Sequence, residues 1–182
     1  IAITGGAANF TSARLGHGGS RSNGNISGAM NIVSLGSVSL SGGSGIYSMS
    51  QMGHGGVDYS GNIFSQPIDV TVAGDLSLLG GSLTQAAVQL GHGGPNLSGV
   101  IVSGDISVNV DGNVLLRGGS GIATYVQIGN GGSSADIDLG GDIVVSAGND
   151  IFLSSLNSAG GAYAKIGHGD DLDAALKFVS GT

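Results

Sequence analysis

The stretch Ile106-Ser107-Val108-Asn109-Val110-Asp111-Gly112-Asn113-Val114-Leu115-Leu116 puts an aliphatic residue or glycine at every second position. Ile68, Val70, Val72, Gly74, Leu76 and Leu78 stand 38 residues earlier and match it position for position. Period-two alternation on both sides of a glycine predicts two short strands joined by a turn, each with one face in a core. Met30, Ile32, Gly36, Val38 and Leu40 repeat the pattern upstream, with Ser34 in an apolar slot. Ile143, Val145, Ala147, Ile151 and Leu153 repeat it downstream, and their offset of 37 places one lost residue in a turn.

A second marker keeps the same period. Leu15-Gly16-His17-Gly18-Gly19, Met52-Gly53-His54-Gly55-Gly56, Leu90-Gly91-His92-Gly93-Gly94, Ile128-Gly129-Asn130-Gly131-Gly132 and Ile166-Gly167-His168-Gly169-Asp170 follow one another at spacings of 37, 38, 38 and 38. Each is entered by an alternating run. Leu15, Met52, Leu90, Ile128 and Ile166 are aliphatic, whereas the preceding Arg14, Gln51, Gln89, Gln127 and Lys165 are long and polar. Alternation assigns the first set to the core and the second to an outward polar rank.

A period this regular over all 182 residues marks a repeat architecture, a single β-solenoid segment spanning 1–182 with no room for a second core. The chain holds 38 Gly, 2 Pro, no Cys and no Trp, its 12 acidic residues are all Asp, and 40% of its residues are hydrophobic. That mixture is poor in helix formers but sufficient for a core. A propeller or an antiparallel sandwich is the competing architecture. Blades carry aromatic signatures that eight aromatic residues do not supply, and like residues at like positions suit the stacking of a parallel β-helix. The near-twofold division of each repeat suggests two coils per repeat, which would make a rod about 45 Å long with histidines about 9.6 Å apart; the alternative is one larger coil of 38 residues.

A net charge of −7 with five Lys and Arg argues against nucleic acid or anionic lipid as a partner. No apolar run approaches the ~20 residues of a membrane-spanning helix, so membrane insertion is not expected. The chain begins at Ile1, and we read it as a segment of a much longer protein.

The Gln-Leu-Gly-His-Gly-Gly core of Gln89 to Gly94, with Ser98-Gly99 and the Gly-Asp-Ile-x-Val-x-Val run from Gly104 to Val110, resembles the repeats of large bacterial surface proteins of the filamentous haemagglutinin type. The resemblance covers essentially the whole chain. It implies a right-handed parallel β-helix, export to the cell surface or medium, and a role in adhesion, biofilm matrix or presentation of a toxic tip. No stretch resembles the export domain or a terminal toxin of that family.

The candidate sites follow from the repeat. His17, His54, His92, Asn130 and His168 lie two residues beyond an inward aliphatic, so the alternation directs them inward at a corner. We read them as a structural ladder satisfying turn amides, a task that His and Asn share and a metal site would not tolerate. No metal or other cofactor is expected. Gly131-Gly132-Ser133-Ser134-Ala135-Asp136 approaches a calcium repeat but lacks its second glycine, and Asp170, Asp171 and Asp173 form only an acidic turn. With no Glu, and with Asp residues placed at turns, paired catalytic carboxylates are not expected. The sequence reading is therefore a non-catalytic shaft of a secreted surface adhesin or matrix protein. Its partners would be surface glycans or further copies of itself, joined end to end or laterally. The competing reading is a carbohydrate- or metal-binding module that uses the His face or the outer Gln rank.

Overall fold

The computed structural model describes residues 1–64, 66–133, 136–156 and 160–169. The first coil runs through β1 (Ala2–Thr4), β2 (Ala13–Leu15), β3 (Ile26–Ser27) and β4 (Met30–Ser34). The second repeats it as β5 (Val38–Ser41), β6 (Ser50–Met52), β7 (Ile63–Phe64) and β8 (Ile68–Val72). The third comprises β9 (Leu76–Leu79), β10 (Val88–Leu90), β11 (Ser98–Ser103) and β12 (Ile106–Val110). The fourth comprises β13 (Val114–Gly118), β14 (Val126–Ile128), β15 (Asp136–Gly140) and β16 (Ile143–Ala147). β17 (Ile151–Ser155) and β18 (Ala164–Ile166) begin a fifth.

Every pairing is parallel and joins equivalent strands of successive coils, giving four sheets: β1-β5-β9-β13-β17 (sheet I), β2-β6-β10-β14-β18 (sheet II), β3-β7-β11-β15 (sheet III) and β4-β8-β12-β16 (sheet IV). The fold is thus the expected all-β parallel solenoid. The coil count is that of the larger-coil alternative and not of two coils per repeat. Val38 pairs with Leu76, Leu76 with Val114 and Val114 with Ile151, so one coil consumes a whole 37–38-residue repeat. The two alternating stretches of each repeat do not stack on each other; they form different walls of one large coil. Five rungs at about 4.8 Å then span roughly 20 Å, in place of the 45 Å that two coils per repeat would give.

Inward residues of sheets I, II and IV share one core, with Leu40, Leu78 and Leu116 from the first, Met52, Leu90 and Ile128 from the second, and Ile68, Val70 and Val108 from the fourth. Each fully buried aliphatic side chain contributes about 1.5–3 kcal/mol of transfer free energy. Stacking makes these contributions continuous along the axis. A second, smaller core joins Ile63, Val102 and Leu139 of sheet III to Tyr59 and Leu97 on the excursion between sheets II and III. Ala87, Tyr125 and Tyr163 form a third cluster.

This arrangement overturns the outward polar rank. All three residues of β6, β10 and β14 are buried, and Gln51, Gln89 and Gln127 have no exposed surface. The Gln side chains do lie opposite the aliphatic set, but they are enclosed among the corner carbonyls and, at Gln89, by Tyr125, whose hydroxyl lies 3.5 Å from Gln89 Oε1. Arg14 and Lys165 are half-buried. The described residues contain no helix long and apolar enough to cross a membrane.

Candidate functional site

The repeated corner begins where sheet II ends. Gly16, Gly53, Gly91 and Gly129 have φ between +142° and +156°, a region that is essentially glycine's own. The geometry is also sterically closed. A Cβ on Gly91 would lie 2.0 Å from the carbonyl oxygen of Gly129 in the next coil. Backbone therefore stacks directly on backbone, with Gly91 N–H donating to Met52 O and Gly93 N–H to His54 O at 2.9 and 2.8 Å.

That turn aims His17, His54, His92, Asn130 and His168 along a single line. The backbone N–H of each residue donates to the side chain of the next: His17 to His54 Nδ1 at 2.9 Å, His54 to His92 Nδ1 at 3.2 Å, His92 to Asn130 Oδ1 at 3.0 Å and Asn130 to His168 Nδ1 at 3.1 Å. Beyond His17, the far side of each side chain meets a carbonyl at the turn between sheets III and IV. His54 Nε2 lies 2.8 Å from Gly28 O, His92 Nε2 3.1 Å from Gln66 O and His168 Nε2 2.9 Å from Gly141 O. Asn130 Nδ2 donates to Gly104 O and Gly140 O at 2.8 and 3.0 Å.

These partners fix the tautomer. A ring nitrogen that faces an N–H must be unprotonated, and one that faces a carbonyl must carry the hydrogen, so His54 and His92 are neutral Nε2–H imidazoles. Burial holds both below the ordinary histidine range; His92 is pushed down to about 4, with a smaller repulsive contribution from His54. The rings of His17, His54 and His92 stack at 5.1 and 4.9 Å between centroids, half the separation that two coils per repeat would impose.

The buried glutamines tie the same corner to the strand. Gln51 Nε2 donates to Gly93 O at 2.8 Å and lies 3.2 and 3.3 Å from Gly91 O and His54 O. Gln89 Nε2 reaches His92 O at 2.9 Å, Gly129 O at 3.1 Å and Gly131 O. Gln127 Nε2 reaches Asn130 O and Gly167 O at 3.2 and 2.8 Å. Arg14 Nε donates to Gln51 Oε1 at 2.8 Å, and burial lowers its pKa. His54, His92, Gln51, Gln89 and Gln127 therefore present no free ligand surface. For metal, the relevant facts are that both nitrogens of His54 and His92 are engaged, and that no group of three His, Cys, Asp or Glu among the described residues is placed to hold an ion. Asp170, Asp171 and Asp173 lie outside the described residues.

Further polar ladders were not singled out from the sequence. Asp75 N–H donates to Ser37 Oγ, Asn113 N–H to Asp75 Oδ1 and Asp150 N–H to Asn113 Oδ1, at 3.1, 2.8 and 3.3 Å. Asn62 N–H to Asn25 Oδ1 and Asp142 N–H to Asp105 Oδ1, at 3.1 and 2.9 Å, serve other corners. Their signal was present: Ser37, Asp75, Asn113 and Asp150 recur at the repeat period, three of them directly after Gly36, Gly74 and Gly112. Non-glycine residues at positive φ also recur in register, as Phe10, Tyr47, Gln85 and Ala123, and as Arg21, Asp58 and Asn96.

Fold and ladders together define a parallel β-solenoid repeat protein. No known protein family, curated protein or solved structure matches the chain.

Proposed function

We propose that the chain is a shaft segment of a secreted bacterial surface adhesin or extracellular matrix protein, of the filamentous haemagglutinin-like kind that its repeats resemble, and that it is non-catalytic. One observation carries the reading: from coil to coil the same corner polar groups are committed to bonds with the neighbouring coil, as in the His–Asn and Gln ladders. Such bonding makes a uniform rod whose length is set by the number of repeats. Its outer faces repeat with the coil, so a glycan surface or a second filament would meet many weak, equally spaced contacts, and avidity would follow from their number.

The test joins shape to adhesion. Small-angle scattering on proteins with one, two and three added 38-residue repeats should lengthen the particle by about 4.8 Å per repeat. Beads coated with the longer versions should hold to a glycan array or to bacterial or host cells more firmly than beads coated with the shortest. Release of oligosaccharide from a polysaccharide substrate, or no gain in adhesion with repeat number, would overturn the proposal.

A further inference from the structure

The corner ladder carries three imidazoles in contact, His17, His54 and His92, followed by the non-titrating Asn130. Each His–His contact depends on an unprotonated Nδ1 facing a backbone N–H. Protonation turns that acceptor into a second donor, so the contact becomes donor against donor. At Nε2 nothing is lost, because that nitrogen already donates to a carbonyl. Acid therefore severs the bond from the ring to the backbone N–H of the preceding coil, and leaves the ring tethered to that coil only through the carbonyl of Gly28 or Gln66.

Solvent has an approach to the row. A cleft of about 340 Å³ lined by Pro67, Ser103, Gly104, Asp105 and Gly141 opens beside the returning strands. Gly104 separates the cleft from His92, and a Cβ there would sit 3.2 Å from His92 Nε2. The groups that face the imidazoles reinforce the effect. His54 has His17 and His92 on either side of it, so charging one opposes charging the next. On sheet II, Arg14 extends its guanidinium to the Gly19 and Gly56 turns and adds a cation at the same corner. In the facing turn between β11 and β12, Asp105 accepts from the amide of Asp142.

We propose that the imidazoles of His54 and His92 are an acid-sensitive latch that loosens the corner between the first three coils while the rung from His92 to Asn130 stays closed. At His92 the open corner takes up a proton near the ordinary histidine value of about 6.5 and the closed one only near 4, so the open form binds more protons throughout that interval; burial lowers His54 in the same direction. Closure is complete at neutral pH, weakens as pH falls through the interval and levels off below 4.

Hydrogen exchange read at single amides tests this, with rates corrected for the intrinsic pH dependence. Between pH 7 and pH 4, the protection of the His54 amide, whose acceptor is His92 Nδ1, should fall on the order of 100-fold, as a displacement of about 2.5 pH units requires. In His92→Asn the same amide gains a non-titrating acceptor, and its protection should change less than about threefold. Three results would overturn the latch: unchanged protection in the native chain, an equal loss in His92→Asn, or a simultaneous loss at core amides such as Val108, which would mean global unfolding.

Discussion

The N–H of His92 donates to Asn130 Oδ1 at 3.0 Å, in the slot where the N–H of His54 meets His92 Nδ1 at 3.2 Å. Asn130 Nδ2 also bonds a carbonyl at the turn between sheets III and IV, as the Nε2 of His92 does. An amide and a neutral Nε2–H imidazole are therefore interchangeable here. His92→Asn should leave stability within about 1 kcal/mol of the native chain at neutral pH. His92→Leu deprives the His54 N–H and the Gln66 carbonyl of their partners, and should cost about 2–4 kcal/mol. Urea denaturation of the two variants distinguishes them; equal midpoints would mean that the ring acts only by filling space.

Gln89 makes an opposite demand, because its Nε2 must donate to clustered carbonyls. Gln89→Glu puts acceptor oxygens against acceptors with no exposed surface, so the introduced carboxyl is driven above its ordinary range. The folded state then holds its proton where the unfolded chain, near pH 4.3, has released it. The deficit of Gln89→Glu relative to the native chain should be about 3 kcal/mol or more at pH 7 and shrink as pH falls toward 4. Denaturation of both proteins across that range measures the difference directly.

The spacing of Gly-His-Gly and the run from Ile106 to Leu116 were enough to make the fold legible, because stacking requires like residues at like positions. The coil count was not legible, since two alternating stretches in one repeat describe equally well two coils or two walls of one coil. Period two also says only that Gln89 and Leu90 face opposite sides of a strand. Whether the second side meets water depends on the excursion, whose core residues Tyr59 and Leu97 lie among glycines and serines without sustained alternation. The inward direction of the His residues could be read from alternation. Their coil-to-coil bonding could not, because the assumed spacing of about 9.6 Å put neighbouring rings out of reach.

Two glycines separate the requirement for a corner from the mere presence of a turn. Gly91 combines a φ of +150° with backbone 2.0 Å from the site of a Cβ. Gly36, between β4 and β5, has no atom within 4 Å of that site and a φ outside the left-handed region. Gly91→Ala should destabilise by about 3 kcal/mol or more, as strain and collision with the next coil combine. Gly36→Ala should be neutral or stabilise by up to about 1 kcal/mol, because it restricts the unfolded chain. Thermal midpoints of the two variants provide the comparison.

The register makes a coil removable as a unit, and only as a unit. Deleting residues 75–112 joins Gly74 to Asn113, so that β8 leads into β13 as it now leads into β9. β13 is the equivalent strand one coil on, and every remaining sheet keeps its order. The shortened protein should fold cooperatively, with a particle about 4.8 Å shorter by small-angle scattering and a stability lowered by about one coil's contribution. Deleting 75–93 removes half as many residues and would have been the gentler change if each repeat made two coils. In the observed fold it joins β8 of sheet IV to β11 of sheet III with no segment to cross sheets I and II, so the chain downstream loses its partners. That variant should lose its cooperative transition and expose apolar surface to a dye such as ANS. A well-folded 75–93 deletion would contradict the one-coil register.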